Sequence, residues 1–203
     1  MGSSASDNLV FGSAAVFWIA GIVIWMIRTR HGSQGKAIAK GIGVVFAGLI
    51  VIWFGYMGSG VLRCARLAAE QMICQKNMMK LGIATLQYAE DHNEHLPPAN
   101  TWATDIMPYL SPDDRKRVFH CPDANTPYSY AFNTTVSGDS LDNIPRPADT
   151  VMLFESDANT LNANGSEADF DFDRHSGMSN VVYVDGVVRG INRYSISSLR
   201  WKP

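Results

Sequence analysis

The chain has 203 residues and a formal charge of −2, from 17 basic and 19 acidic side chains. Basic residues form no run in its polar part, which offers no electrostatic footprint for nucleic acid. The residues from about 60 onward suffice for one domain of ordinary size with a modest core.

From the N-terminus, residues 9–27 and 38–57 are apolar stretches, and Lys40, at the edge of the second, is the one charged side chain in either. About 20 helical residues at 1.5 Å each cross the roughly 30 Å hydrocarbon core. Two membrane-spanning helices are therefore expected, forming an anchor over residues 1–60 ahead of a soluble domain over 61–203. The link between them carries Arg28, Arg30, Lys36 and Lys40 and no acidic residue, whereas the opening tail has only Asp7. Short loops rich in Lys and Arg stay on the cytoplasmic side. That places both termini and the domain outside, although Arg63 and Arg66 pull mildly the other way. The first span lacks the basic start and small-residue cleavage site of a signal peptide, so it is read as a retained helix.

Beyond the second span, Leu62, Ala65, Ala69, Met72, Met79, Ile83 and Leu86 recur at spacings of three and four, with Lys76 interrupting. This predicts one apolar helix face packed on a domain. Pro97-Pro98 forbids continuation. Strands are expected at residues 128–133, 150–155, 180–184 and 187–191. The last two flank Asp185-Gly186, read as a type I′ turn with positive φ at both residues.

Three segments carry a resemblance. CQKNMMKLGIATLQYAEDHNEHLPP, VFHCPDANTPYSYAFN and RHSGMSNVVYVDGVVRGI stand in this order. Together they resemble the bacterial pilin-like (pseudopilin) family. Its closing signature is a histidine, a nine-residue spacer and Asp-Gly, matched here by His175, Asp185 and Gly186. The resemblance implies an α+β fold, with a long N-terminal helix on a small antiparallel sheet. It also implies a location in the envelope of a bacterium, at the cytoplasmic membrane. Typical members have one membrane helix opened by a cleaved leader and a glutamate. This chain departs from that pattern: its second span has no acidic residue, and another span precedes it.

Cys74 and Cys121 fall in the family motifs, in a compartment where a disulfide is permitted. The alternative is two free buried thiols. Cys64 lies about 15 Å from Cys74 along one helix and is left as an odd thiol. Asp169, Asp171 and Asp173 alternate with Phe170 and Phe172. On an extended segment the carboxylates would share one face and the rings the core. That arrangement is a candidate calcium site, although its spacing fits no calcium-loop consensus, and the alternative is a solvated acidic edge. His175 either orders its loop or binds a metal. Asp185 is expected to serve its turn. His92, His95, His120 and Cys121 lack a diagnostic zinc spacing. Asn133 and Asn164 head glycosylation triplets that are common by chance.

No nucleophile elbow, zinc-protease helix or phosphate-cradling loop is found. The expected function, as the resemblance implies, is non-enzymatic: a membrane-anchored pilin-like envelope protein with a structural or scaffolding role related to secretion or pili. Its expected partners are the lipid bilayer and other membrane or envelope subunits. The alternative is an accessory subunit or ligand-binding ectodomain of an unrelated membrane complex.

Overall fold

Helix α1 runs over Gly32–Asp91. The structure, a computed structural model, describes residue 21, residues 23–26 and residues 32–203, with side chains at 23–26 and from residue 40 onward except Met57. Gly21 and residues 23–26 are helical. The rest of the expected first span and the start of the basic link lie outside the described residues. The second half of that link belongs to α1 and is not a loop. Its KAIAK run is built from good helix formers, which explains the difference. The stretch Lys40–Asp91 is long and apolar enough to cross a membrane.

The helix stops before the prolines. Asn93 and Glu94 adopt left-handed φ values of 56° and 62°. The N–H of Glu94 donates to Ala89 O at 2.8 Å, satisfying an end carbonyl. The chain divides into two compact units, Met1–Leu62 and Arg63–Pro203. The second unit is described below.

Within that unit, α1 buries a face different from the predicted one. Cys74, Met78, Leu81, Ala84, Thr85 and Ala89 are buried, whereas Met72, Met79 and Ile83 are exposed. Periodicity detects two apolar stripes here and cannot say which one meets the sheet. Gly82 decides it, because a Cβ there would lie 2.8 Å from Val182 Cγ1. Only the glycine side of the helix comes so close to a strand.

Five strands follow: β1 (Tyr130–Asn133), β2 (Val151–Glu155), β3 (Asn164–Gly165), β4 (Met178–Tyr183) and β5 (Val188–Asn192). Their spatial order is β3-β1-β2-β4-β5. Every pairing is antiparallel except β1 with β3. The sheet is thus mixed, where an antiparallel one was expected. The class is α+β, a long helix packed on a five-stranded sheet.

β1 and β2 are buried at every residue, because the sheet is covered on both sides. Met78 and Leu81 of α1, with Trp102 of the short helix α2 (Trp102–Ile106), pack with Phe132, Met152 and Val182. On the other side Phe154, Phe170 and Trp201 form a ring cluster with centroids 5.1–6.3 Å apart. The Asn133 amide donates to Val151 O at 2.7 Å and Trp201 O at 2.8 Å, pinning the C-terminal tail. Buried and bonded, it is not presented as a glycosylation acceptor.

The β4–β5 turn also differs from expectation. Gly186 has a φ of 84°, but Asp185 does not have a positive φ. Gly186 N–H donates to Tyr183 O at 2.9 Å, and Tyr183 N–H to Val187 O at 2.9 Å. This is a three-residue loop with glycine in the left-handed place. Asp185 Oδ1 accepts the Val187 N–H at 3.0 Å, which is a turn role.

Candidate functional site

Four motif or strand-end residues converge beneath α1. Cys74 projects from the buried face of α1 and is bonded to Cys121, whose Cα lies 5.2 Å from its own. Cys121 is held by its N–H donating to Ser129 Oγ at 3.0 Å. Glu155 ends β2, and its side chain is 0% exposed. His175 arrives from a tight turn between Asp173 and β4. Its Nε2 lies 3.1 Å from Glu155 Oε1 and 3.4 Å from Cys121 Sγ.

A carboxylate in so apolar a place needs partners. Glu155 Oε2 accepts the Asn180 N–H at 2.9 Å, and Oε1 accepts Asn180 Nδ2 at 3.1 Å. Gln75 of α1 donates to Asn180 Oδ1 at 3.1 Å, extending the network back to the helix. Tyr130 faces Glu155 across the β1–β2 pair. Its hydroxyl is buried, with the Asn77 side chain as its polar neighbour. Burial, then the nearby Glu155 charge, push this phenol far above its ordinary range.

The turn that delivers His175 is strained. His175, Ser176 and Gly177 take φ values of 50°, 63° and 93° in succession. Left-handed geometry at a non-glycine residue costs on the order of 1–3 kcal/mol and persists only where surrounding contacts over-determine it. Those contacts are present. The His175 N–H donates to Asp123 Oδ2 at 2.7 Å, and the same oxygen lies 3.4 Å from His175 Nδ1. The Nδ1 atom itself makes no hydrogen bond.

Next to it, Arg174 is buried and makes four hydrogen bonds. Its guanidinium donates to Asp171 at 2.8 Å, Asp157 at 2.7 Å, Ser129 O at 3.0 Å and Ser156 O at 3.2 Å. This one side chain ties the start of β1 and the exit of β2 to the acidic segment.

The structure does not gather Asp169, Asp171 and Asp173 as a calcium site requires. Residues 167–169 form a 3-10 turn in place of an extended strand, and Asp169 Oδ2 caps it by accepting the Ser166 N–H at 2.9 Å. Asp171 pairs with Arg174, and Asp173 with Arg193 at 2.6 Å. Phe170 enters the core, but Phe172 stays exposed beneath the Arg193 guanidinium. Instead, Asp171 and Asp173 join Asp123 and Asp157 around an open cleft of about 610 Å³. Among the described residues, the metal-competent grouping is Cys74, Cys121, Glu155 and His175, whose ligand atoms all lie within 4.8 Å of one another. His92, His95 and His120 are not part of it. His92 stacks on Tyr88, and His95 and His120 bond to backbone carbonyls.

Folding also builds a basic cleft that the sequence hides. Lys76 and Lys80 of α1 meet Lys116, Arg117 and His120 around about 730 Å³. Spread over 45 positions, these residues form no run. Lys80 is paired with Asp114, whose carboxyl is held below its ordinary value first by that bond and then by the Ser111 hydroxyl.

Sequence reasoning missed Glu155, Asn180, Arg174 and Asp123. The signal for Glu155 was present: an acid closing the otherwise apolar run TVMLFE cannot be buried alone. The others depend on turn geometry that no spacing encodes. The chain matches no family model, no curated protein and no solved structure.

Proposed function

We propose that this chain is a pilin-like, non-enzymatic scaffold tethered in a bacterial cytoplasmic membrane, with its folded unit on the outer side. One observation carries the reading. The motif residues Cys74, Cys121 and His175 are spent together on a buried knot that joins the long helix to the sheet. Buried sulfurs held in a disulfide are a structural use of cysteine and belong to an oxidising compartment. The apolar start of α1 supplies the tether. Met72, Ile73, Met79 and Ile83 stay exposed on the same helix and supply an apolar face for assembly. Family membership rests on the three motifs.

Affinity isolation of the full chain in mild detergent tests this. Co-purifying pilus or secretion components are expected, and a solitary monomer would contradict it. A second reading, a ligand-binding or accessory ectodomain, is favoured by the two clefts of opposite charge. Recovery in an unrelated stable membrane assembly would select it.

A further inference from the structure

We propose that the Cys74–Cys121 pair, in its two-thiol form, combines with His175 and Glu155 to bind one thiophilic divalent cation of the zinc class. Disulfide formation expels the ion. A newly synthesised chain carries both cysteines as thiols, so the two-thiol state precedes the bridge.

The donor set is the first argument. Two sulfurs, one imidazole nitrogen and one carboxylate oxygen form a set that zinc and cobalt(II) take tetrahedrally. With metal–sulfur bonds of about 2.3 Å and metal–nitrogen or metal–oxygen bonds of about 2.0 Å, a tetrahedron spaces N and S about 3.5 Å apart, and N and O about 3.3 Å apart. The observed separations are 3.4 Å for His175 Nε2 to Cys121 Sγ and 3.1 Å for His175 Nε2 to Glu155 Oε1. Two edges of the tetrahedron therefore exist already. Once the S–S bond opens, the sulfurs need only separate to about 3.8 Å.

The surroundings are the second argument. A metal-bound imidazole donates its other N–H to a carboxylate or carbonyl, which fixes its orientation. Here His175 Nδ1 is buried without a hydrogen bond, and Asp123 Oδ2 stands 3.4 Å from it. Glu155 is oriented in turn by both nitrogens of Asn180. Two thiolates and a carboxylate over-neutralise a dication by one charge, a donor set that favours a cation over an empty site. An acidic cleft lined by Asp123, Asp157, Asp171 and Asp173 also takes in Arg174 and Ser176, the two neighbours of His175, and would concentrate cations beside the site.

The chemistry balances. In the test, a phosphine attacks one sulfur and the S–S bond breaks. Water supplies the oxygen of the phosphine oxide, and both sulfurs end as thiols. Metal uptake then releases those two thiol protons to solvent as the metal–sulfur bonds form. A disulfide oxidant reverses the first step by exchange, taking two electrons and freeing the ion.

The test uses the full chain in detergent with Cys64→Ser, which removes the one exposed thiol. After phosphine reduction without oxygen, one equivalent of Co²⁺ should give thiolate-to-metal absorption in the near ultraviolet and tetrahedral d–d bands. Zinc should displace both signals, and the oxidised chain should show neither. His175→Ala and Glu155→Ala should each weaken binding more than tenfold, and Asp123→Asn by about 10–100-fold. Absence of the bands, their presence in the oxidised chain, or indifference to both ligand substitutions would overturn the proposal. If reduction unfolds the chain, one equivalent of zinc should restore its circular dichroism, and failure to do so would also overturn it.

Discussion

Glu155 and Ser176 show how one buried site sets opposite demands on neighbouring residues. Glu155, fully buried, accepts from Asn180 and approaches His175. Removing it strands the Asn180 donors and the imidazole. Glu155→Ala should therefore cost about 2–4 kcal/mol, read from urea unfolding. Glu155→Gln, which keeps an acceptor, should lose less. Ser176 is the reverse case. It holds a φ of 63° while exposed to solvent. Ser176→Gly should stabilise by about 0.5–1 kcal/mol, since the left-handed penalty of an L-residue is about 1–2 kcal/mol and glycine returns part of it as backbone entropy. A destabilised Ser176→Gly would show that the turn is not strained.

Between elements, the close seating of α1 on the β4–β5 hairpin depends on two glycines. A Cβ at Gly82 would strike Val182, and one at Gly186 would lie 2.9 Å from Leu86 Cδ1 while also adopting a φ of 84°. Gly82→Ala and Gly186→Ala should each cost about 1–3 kcal/mol by thermal or urea melts. Gly138→Ala, with positive φ but open space, should cost only about 1 kcal/mol. A second contact of α1 responds to pH. Because the Lys80 bond holds the Asp114 carboxyl below its ordinary value, that contact stabilises the fold above about pH 3.9 and fades as pH falls through the lower folded value. Lys80→Met should return Asp114 toward the ordinary value in an NMR titration and remove this acid-side loss. Strands β1, β2, β4 and β5 were legible because β-rich apolar runs and Asp-Gly punctuate the sequence. The buried side of α1 was not, since Met72, Met79 and Ile83 mimic a core stripe that solvent in fact meets. The parallel β3 was invisible as well. A two-residue strand has no periodicity to read.

For the molecule as a whole, a long helix is held to its sheet by one covalent and several polar links at a single layer. The disulfide and His175 were legible from motif position, but Glu155 and Asp123 reach them only through folding. Cys74 and Cys121 stand 47 positions apart, so replacing both with serine should cost about 4 kcal/mol on the chain-entropy account. Equilibrium unfolding of the full chain measures that. The central claim, an outward-facing unit locked by this bridge, is tested most directly by the chain's own thiols. Cys64 is free and exposed, whereas Cys74 and Cys121 are bonded and buried. A membrane-impermeant maleimide applied to intact spheroplasts should label Cys64 alone, with Cys74 and Cys121 reacting only after denaturation and reduction. Labelling of Cys64 solely after lysis, with Cys74 and Cys121 already reactive as thiols, would contradict the account.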